Sequence, residues 1–366
     1  MLAPMQQKIT KSQRIHRLVG TLVIAALGVV AAACGSDTTP AAVTTSVEPT
    51  AQDTTAPAGT RQVTVYTGRH YGIEPVFDEF TAATGITVRF TTGSDPELRE
   101  RLIAEGDNSP ADIIMTADAA NIQLSAAAGM LAAVDSDILR SAIPEDLRAA
   151  DDTWFTLSSR LRVIMSSKDR VTDAPTTYAA VGDPKWKGRL CLRPSTHPYT
   201  QSLVASLINN IGVDATRSIV DAWVANDPLY INSDTDILKA IAAGDCDVAL
   251  TNSYYLGRLL KADPSFPVVL TWPDQNGSGA HLNSSAAAMT AASKNQAEAI
   301  ALLEWLATDG QSSFSSTNNE FPANPAVAPD AIIATFGTFR ADTKSVRELG
   351  RLNPAAVELL AAANYK

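Results

Sequence analysis

Three short stretches gather phenol and imidazole side chains. They are YTGRHYG, with Tyr66, Arg69, His70 and Tyr71; PSTHPYTQSL, with His197 and Tyr199; and NSYYL, with the adjacent Tyr254 and Tyr255. Each lies at or just after a run with strand character and opens into a helical pattern. In an open α/β sheet, ligands bind outside the carboxyl ends of the strands, so stretches far apart in sequence can converge on one cleft. The adjacent pair raises a question of its own. Neighbouring residues on a helix or strand point in different directions, so one core does not easily take both. Either one phenol packs inward while its neighbour rests on the surface, or both serve one ligand.

The chemistry such a set can do is metal binding by hard oxygen donors. A hard trivalent cation can hold phenolate deprotonated at neutral pH, although free tyrosine titrates near about 10. Zinc or copper would recruit more histidine or cysteine, and calcium would call for carboxylates and carbonyls. The residue types favour ferric iron over the common divalent metals. Enzymatic readings lack support: G-x-S-x-G, H-E-x-x-H, C-x-x-C and G-x-x-x-x-G-K are all absent from the sequence, which removes the usual hydrolase, zincin, thioredoxin and P-loop signatures. No enzyme is expected.

Cys191 stands eight residues before Tyr199, and Cys246 eight before Tyr254. Each is at or near a strand that leads into its tyrosine stretch. Two arrangements are open: a disulfide that clamps the two stretches together, or two buried free thiols. Export to an oxidising compartment permits the first.

The elements that must position these residues alternate. VTVYTG reads as a strand, 71–84 as a helix stopped by Gly85, ITVRFTT as a strand, PELRERLIAEG as a helix, ADIIMTA as a strand and NIQLSAAAGML as a helix. A long extended run at 154–168 suits a crossing between lobes. RLCLRPS, helices within 200–226 and 234–243, DVALTNS and the YYLGRLL helix form a second α/β set; 266–290 carries the chain back, and 294–316 and 341–364 are helical in pattern. The alternation points to an α/β, two-lobed, periplasmic-binding-protein-like fold with the ligand cleft between the lobes. The first lobe is expected at 61–164 plus 283–366 and the second at 165–282.

The N-terminal end is different in kind. Residues 1–33 begin with Lys8, Lys11, Arg14 and Arg17, without an acidic residue, and continue as an apolar run from Leu18 that ends in AAAC at Cys34. This is the pattern of a secretory signal. The run falls short of the roughly 20 residues that span a bilayer. Residues 35–60 hold eight Thr, three Pro and no aromatic residue, a composition suited to a tether. The formal net charge of −10 becomes −14 once the four leader cations are removed. An acidic body without a basic tract argues against nucleic acid.

Taken together, the chain resembles the ferric-iron-binding components of bacterial ABC importers, in the transferrin-like group of periplasmic solute-binding proteins. VYTGRHYGIEPVFDEFTAATGI, NSPADIIMTADA, DPKWKGRLCLRPSTHPYTQSLVASLI, AAGDCDVALTNSYYLGRLL and NNEFPANPAV carry the resemblance over nearly all of 61–366. It implies Fe³⁺ ligands at Tyr71, Tyr199, Tyr254 and Tyr255, with His70 as a fifth. Tyr66 is expected to pack. Arg69, Arg160 and Arg162 either balance phenolate charge, hold a small synergistic anion such as carbonate, or form salt bridges. His197 departs from the family pattern, and is read as an extra ligand or an exposed histidine. Ala-Ala-Cys implies a lipoprotein signal, with lipid on Cys34 anchoring a monomeric receptor to the outer face of the membrane. Its partner is an ABC permease. The same fold with a small organic or anionic solute, such as a polyamine or phosphonate, is the rival reading; those ligands call for carboxylates or arginines.

Overall fold

The computed structural model describes residues 61–69 and 72–366. The leader, Cys34, the tether, His70 and Tyr71 lie outside the described residues.

The first half follows the alternation read from the sequence. Strand β1 (Gln62–Thr67) leads to helix α1 (Glu74–Thr84), which Pro75 opens and Gly85 closes in a left-handed conformation, φ 72°. Only glycine adopts this at no steric cost. Strand β2 (Thr87–Thr92) is followed by α2 (Asp95–Glu105), which starts with a capping box in which Ser94 and Glu97 satisfy each other's backbone amides. Then come β3 (Ile113–Thr116), α3 (Ala119–Ala127), α4 (Asp137–Ala142) and the long β4 (Phe155–Ser167).

The second half runs β5 (Leu190–Leu192), α5 (Pro198–Ile211), α6 (Val213–Ala225), β6 (Leu229–Tyr230), α7 (Asp234–Ala243), β7 (Val248–Asn252), α8 (Ser253–Ala262), β8 (Val268–Thr271) and β9 (Ala280–Met289). The chain closes with α9 (Gln296–Ala307), α10 (Gln311–Ser316), β10 (Phe321–Pro322), α11 (Ala331–Ala334), β11 (Ala341–Asp342) and α12 (Leu349–Ala362). The helix expected at 341–364 therefore begins only at Leu349. Its first residues are drawn into a parallel pairing of Ala341 and Asp342 with Ala280 and His281, a long-range contact that local periodicity does not encode.

Strand order is β2-β1-β3-β9-β4-β7-β5-β6. Strand β4 changes partners midway. Phe155 to Leu161 pair antiparallel with Ala287 to Leu282 of β9, whereas Arg162 to Ser166 pair with Asn252 to Val248 of β7. Residues Ile164–Ser167 also take β8 on the other edge. The crossing strand expected from the sequence is thus shared by two sets of strands, and Arg160 and Arg162 flank the point of exchange.

Apolar packing forms two clusters, the larger of which takes in residues from both sets of strands, Val63 and Ile113 as well as Leu190 and Val248. The smaller of two cores contains Leu161, Val163 and Met165 from β4, the α7 residues Ile237, Leu238 and Ile241, and both Cys191 and Cys246. Tyr199, Tyr254 and Tyr255 belong to it too. No helix among the described residues is long and apolar enough to cross a membrane.

Candidate metal centre

Tyr254 and Tyr255 occupy the first turn of α8, directly after Asn252 ends β7. Both are buried, at 1% and 6% exposure. Their rings stack, with centroids 4.0 Å apart and planes 29° apart. The inward-and-surface alternative is excluded. Arg258, one turn on, sets its guanidinium carbon 5.1 Å and 5.6 Å from the two ring centroids, a cation–π arrangement.

Tyr199 arrives from the other strand. It lies in the first turn of α5, shortly after β5, and its hydroxyl is hydrogen-bonded to that of Tyr254. Strands β5 and β7 are parallel neighbours, with Leu190 opposite Val248 and Cys191 opposite Ala249, so their carboxyl ends deliver both stretches to one place. Beneath them Cys191 and Cys246 form a disulfide with Cα atoms 5.9 Å apart, well inside the range a bridge permits. Tyr66 is elsewhere: its hydroxyl bonds both oxygens of Glu105 at 3.0 Å, the packing role expected.

Burial raises the titration of Tyr254 well above the usual phenol value, and its neighbours Tyr199 and Tyr255 push it further. Burial also raises Tyr199, opposed by Arg160 and by the hydrogen bond from Tyr254. Without a cation, these oxygens keep their protons.

The three arginines separate by partner. Arg69 is 2% exposed and pairs with Glu320 at 3.0 Å, while donating to Ser158 at 2.5 Å and to the Phe314 carbonyl at 2.6 Å. Arg162 pairs with Asp234 at 2.6 Å. Both are held in buried ion pairs. Arg160 is different. It is 1% exposed, donates to Ser285 at 2.9 Å and stands 3.9 Å from Glu320, but its Nε and Nη2 have no hydrogen-bond partner among the described residues. Its guanidinium carbon lies 5.4 Å from the Tyr199 ring centroid. Burial lowers its pKa, but Tyr199, Glu320 and Tyr254 outweigh that and the net shift is upward.

His197 is neither exposed nor aimed away. It caps α5, its Nδ1 accepting from the Tyr199 amide at 3.2 Å, and its ring meets Tyr199 edge-on at 4.5 Å. Burial, then the charge of Arg193, lower its pKa to about 3. A helix cap explains its place without any ligand.

A cavity of about 360 Å³ opens beside the tyrosines, lined by Tyr199, Tyr255, His197, Arg193, Asp95 and Ala117 among others. Two acidic residues near the site went unread in the sequence. Glu320 sits in the quoted NNEFPANP stretch and holds Arg69. Asp95 opens α2, and burial lifts its carboxyl to about 7. No group of three or more His, Cys, Asp or Glu residues among those described could hold a metal.

This fold, with a tyrosine-lined cavity where the strand sets meet, defines a class. The chain belongs to the bacterial extracellular solute-binding proteins, whose family pattern it matches over residues 76–341. Within that class it is similar to iron uptake protein A1 of Synechocystis, 34% identical over 375 residues that take in 99% of this chain and 100% of the relative. Iron uptake protein A2 of the same organism is 38% identical over 317 residues, 83% of this chain and 90% of the relative. Among solved structures, the Trichodesmium protein IdiA (FutA) in complex with iron and citrate superposes with a TM-score of 0.79 at 36% identity, covering 83% of this chain and 100% of that one. The architecture is the two-lobed α/β fold of these periplasmic ferric-binding proteins.

Proposed function

We propose that this protein is the extracytoplasmic receptor of an ABC-type iron importer, binding Fe³⁺ as cargo and passing it to a membrane permease. One observation carries the reading: Tyr199, Tyr254 and Tyr255 converge, buried, with Arg160 beside them holding two nitrogens unpartnered among the described residues. His70 and Tyr71 complete the proposed ligand set from the β1–α1 turn. A trivalent cation displaces the phenol protons, and the positive charge of Arg160 offsets the phenolate charge that results. The 360 Å³ cavity leaves room for a small synergistic anion such as carbonate. The relative solved with iron and citrate is consistent with an accompanying anion.

Residues 61–164 plus 283–366 and residues 165–282 act as the two lobes, closing about the strands that cross near Leu161. The function is delivery rather than catalysis. Lipid on Cys34 and the tether at 34–60 would hold a monomer close to its permease. The rival polyamine or phosphonate reading leaves the three clustered phenols without a role.

The test is absorption during titration with ferric citrate. Phenolate–iron bonds give an intense visible charge-transfer band, and one equivalent of iron is expected to saturate it. No band at stoichiometric iron rejects the reading.

A further inference from the structure

Asp95 lines the cavity that Tyr199 and Tyr255 also line, and it is 7% exposed. Its Oδ1 accepts from the Ala117 amide at 3.0 Å, and the carboxylate takes a second backbone bond from Asp118. Those bonds locate the side chain, and a neutral amide could accept them equally well. Helix α2 does not need its charge either, because Ser94 and Glu97 already form the capping box. Yet a carboxylate is buried here, and among the described residues no salt bridge reaches it. The one cation whose charge it feels appreciably is Arg160. Burying an unpaired carboxylate is costly unless a cation compensates it.

The backbone opposite preserves the position. Gly68, in the turn that leads towards His70, lies so close that a Cβ there would stand 1.6 Å from Asp95 Oδ1. The arrangement is a desolvated carboxyl group, fixed by backbone amides, bordering a cavity whose lining also includes Tyr199, Tyr255, His197 and Arg193.

We infer that Asp95 is a further cargo-binding residue, supplying a carboxylate oxygen to the metal ion from the first lobe, opposite the tyrosines. The inference rests on the ferric reading and deepens it. A hard anionic oxygen favours a trivalent over a divalent cation. The charge balance is simple: the carboxylate adds one negative charge to the donor set, and the Arg160 guanidinium, which has Glu320 3.9 Å away on its other side, supplies a nearby positive one.

The experiment titrates the full-length protein and its Asp95→Asn variant with ferric citrate, following the charge-transfer band and the melting temperature together. The substituted amide keeps the acceptor for the Ala117 backbone and removes the charge. The expected result is a variant with unchanged melting, iron affinity weakened by about tenfold or more and a band moved to longer wavelength, because an iron with one fewer anionic donor is more electron-poor. Unchanged affinity and an unmoved band would overturn the inference while leaving the ferric reading intact. A wild-type protein with no band would overturn both. Should the variant fold poorly, infrared difference spectra of the wild type decide, using protein labelled with carbon-13 aspartate. An aspartate carboxylate stretch that shifts on iron loading supports the role, and no aspartate shift overturns it.

Discussion

Tyr254 and Tyr255, the one adjacent pair of tyrosines in the sequence, stack in the first turn of α8, directly after β7 ends. Replacing both with phenylalanine keeps the rings and their packing but removes two of the proposed phenolate donors. Iron binding is expected to collapse, and each single variant should weaken it and shift the visible band. Tyr66→Phe supplies the contrast: it loses hydrogen bonds to Glu105, worth about 1 kcal/mol of stability, with the band unmoved. Iron binding at the wild-type level in the Tyr254, Tyr255 double variant would remove these residues from the site. At this scale the aromatic stretches were legible because phenol and imidazole are scarce and sit at element ends. Asp95 was not: in GSDPELR an aspartate at a helix start has an ordinary capping explanation, and only the fold places it against Gly68 and the cavity. The separate roles of Arg69, Arg160 and Arg162 were equally hidden, since each depends on which carboxylate lies across the chain.

Among the elements, the two strand–helix junctions that present the tyrosines are tied together by the Cys191–Cys246 bridge. The matched spacing in the sequence pointed to this pairing, and the parallel register of β5 and β7 is its physical basis. With a sequence separation of 55, the chain-entropy estimate of its contribution is about 4 kcal/mol, with native strain and residual unfolded structure reducing it. A double Cys→Ala variant is therefore expected to lose roughly 2–4 kcal/mol in urea unfolding. Full wild-type stability in that variant would show the bridge to be energetically idle. Long elements such as β4 were readable from their extended, apolar pattern. Two-residue strands such as β10 and β11 were not, because their existence rests on partners far away in sequence, Ser158–Ser159 and Ala280–His281 respectively.

The molecule as a whole carries an acid sensitivity set by its buried imidazoles. His281 on β9 is 1% exposed and neither ring nitrogen has a hydrogen-bond partner among the described residues. Burial lowers its pKa to about 3, with Asp342 opposing and Arg162 and Arg160 reinforcing the shift. The unfolded chain takes up this proton near about 6.5, while the folded one refuses it until about 3. Its contribution is therefore present above the unfolded value and is lost as pH falls toward the folded one, at up to about 1.4 kcal/mol per pH unit. His197 acts in the same direction. Urea unfolding at pH 7 and pH 5 should show a smaller loss for His281→Gln than for the wild type; equal losses would exclude His281 as a source.

The sheet order also bears on time. During synthesis β1, β2 and β3 appear first, but the free edge of β3 is paired by Ala286–Met289, and β4 likewise waits for Leu282–Ala287. Contacts of such long sequence separation close slowly. A ribosome must therefore release most of the polypeptide before its first three strands acquire their remaining neighbour. Should residues 1–33 serve as the export signal expected of them, that delay would leave the nascent protein threadable while a secretion channel engages it.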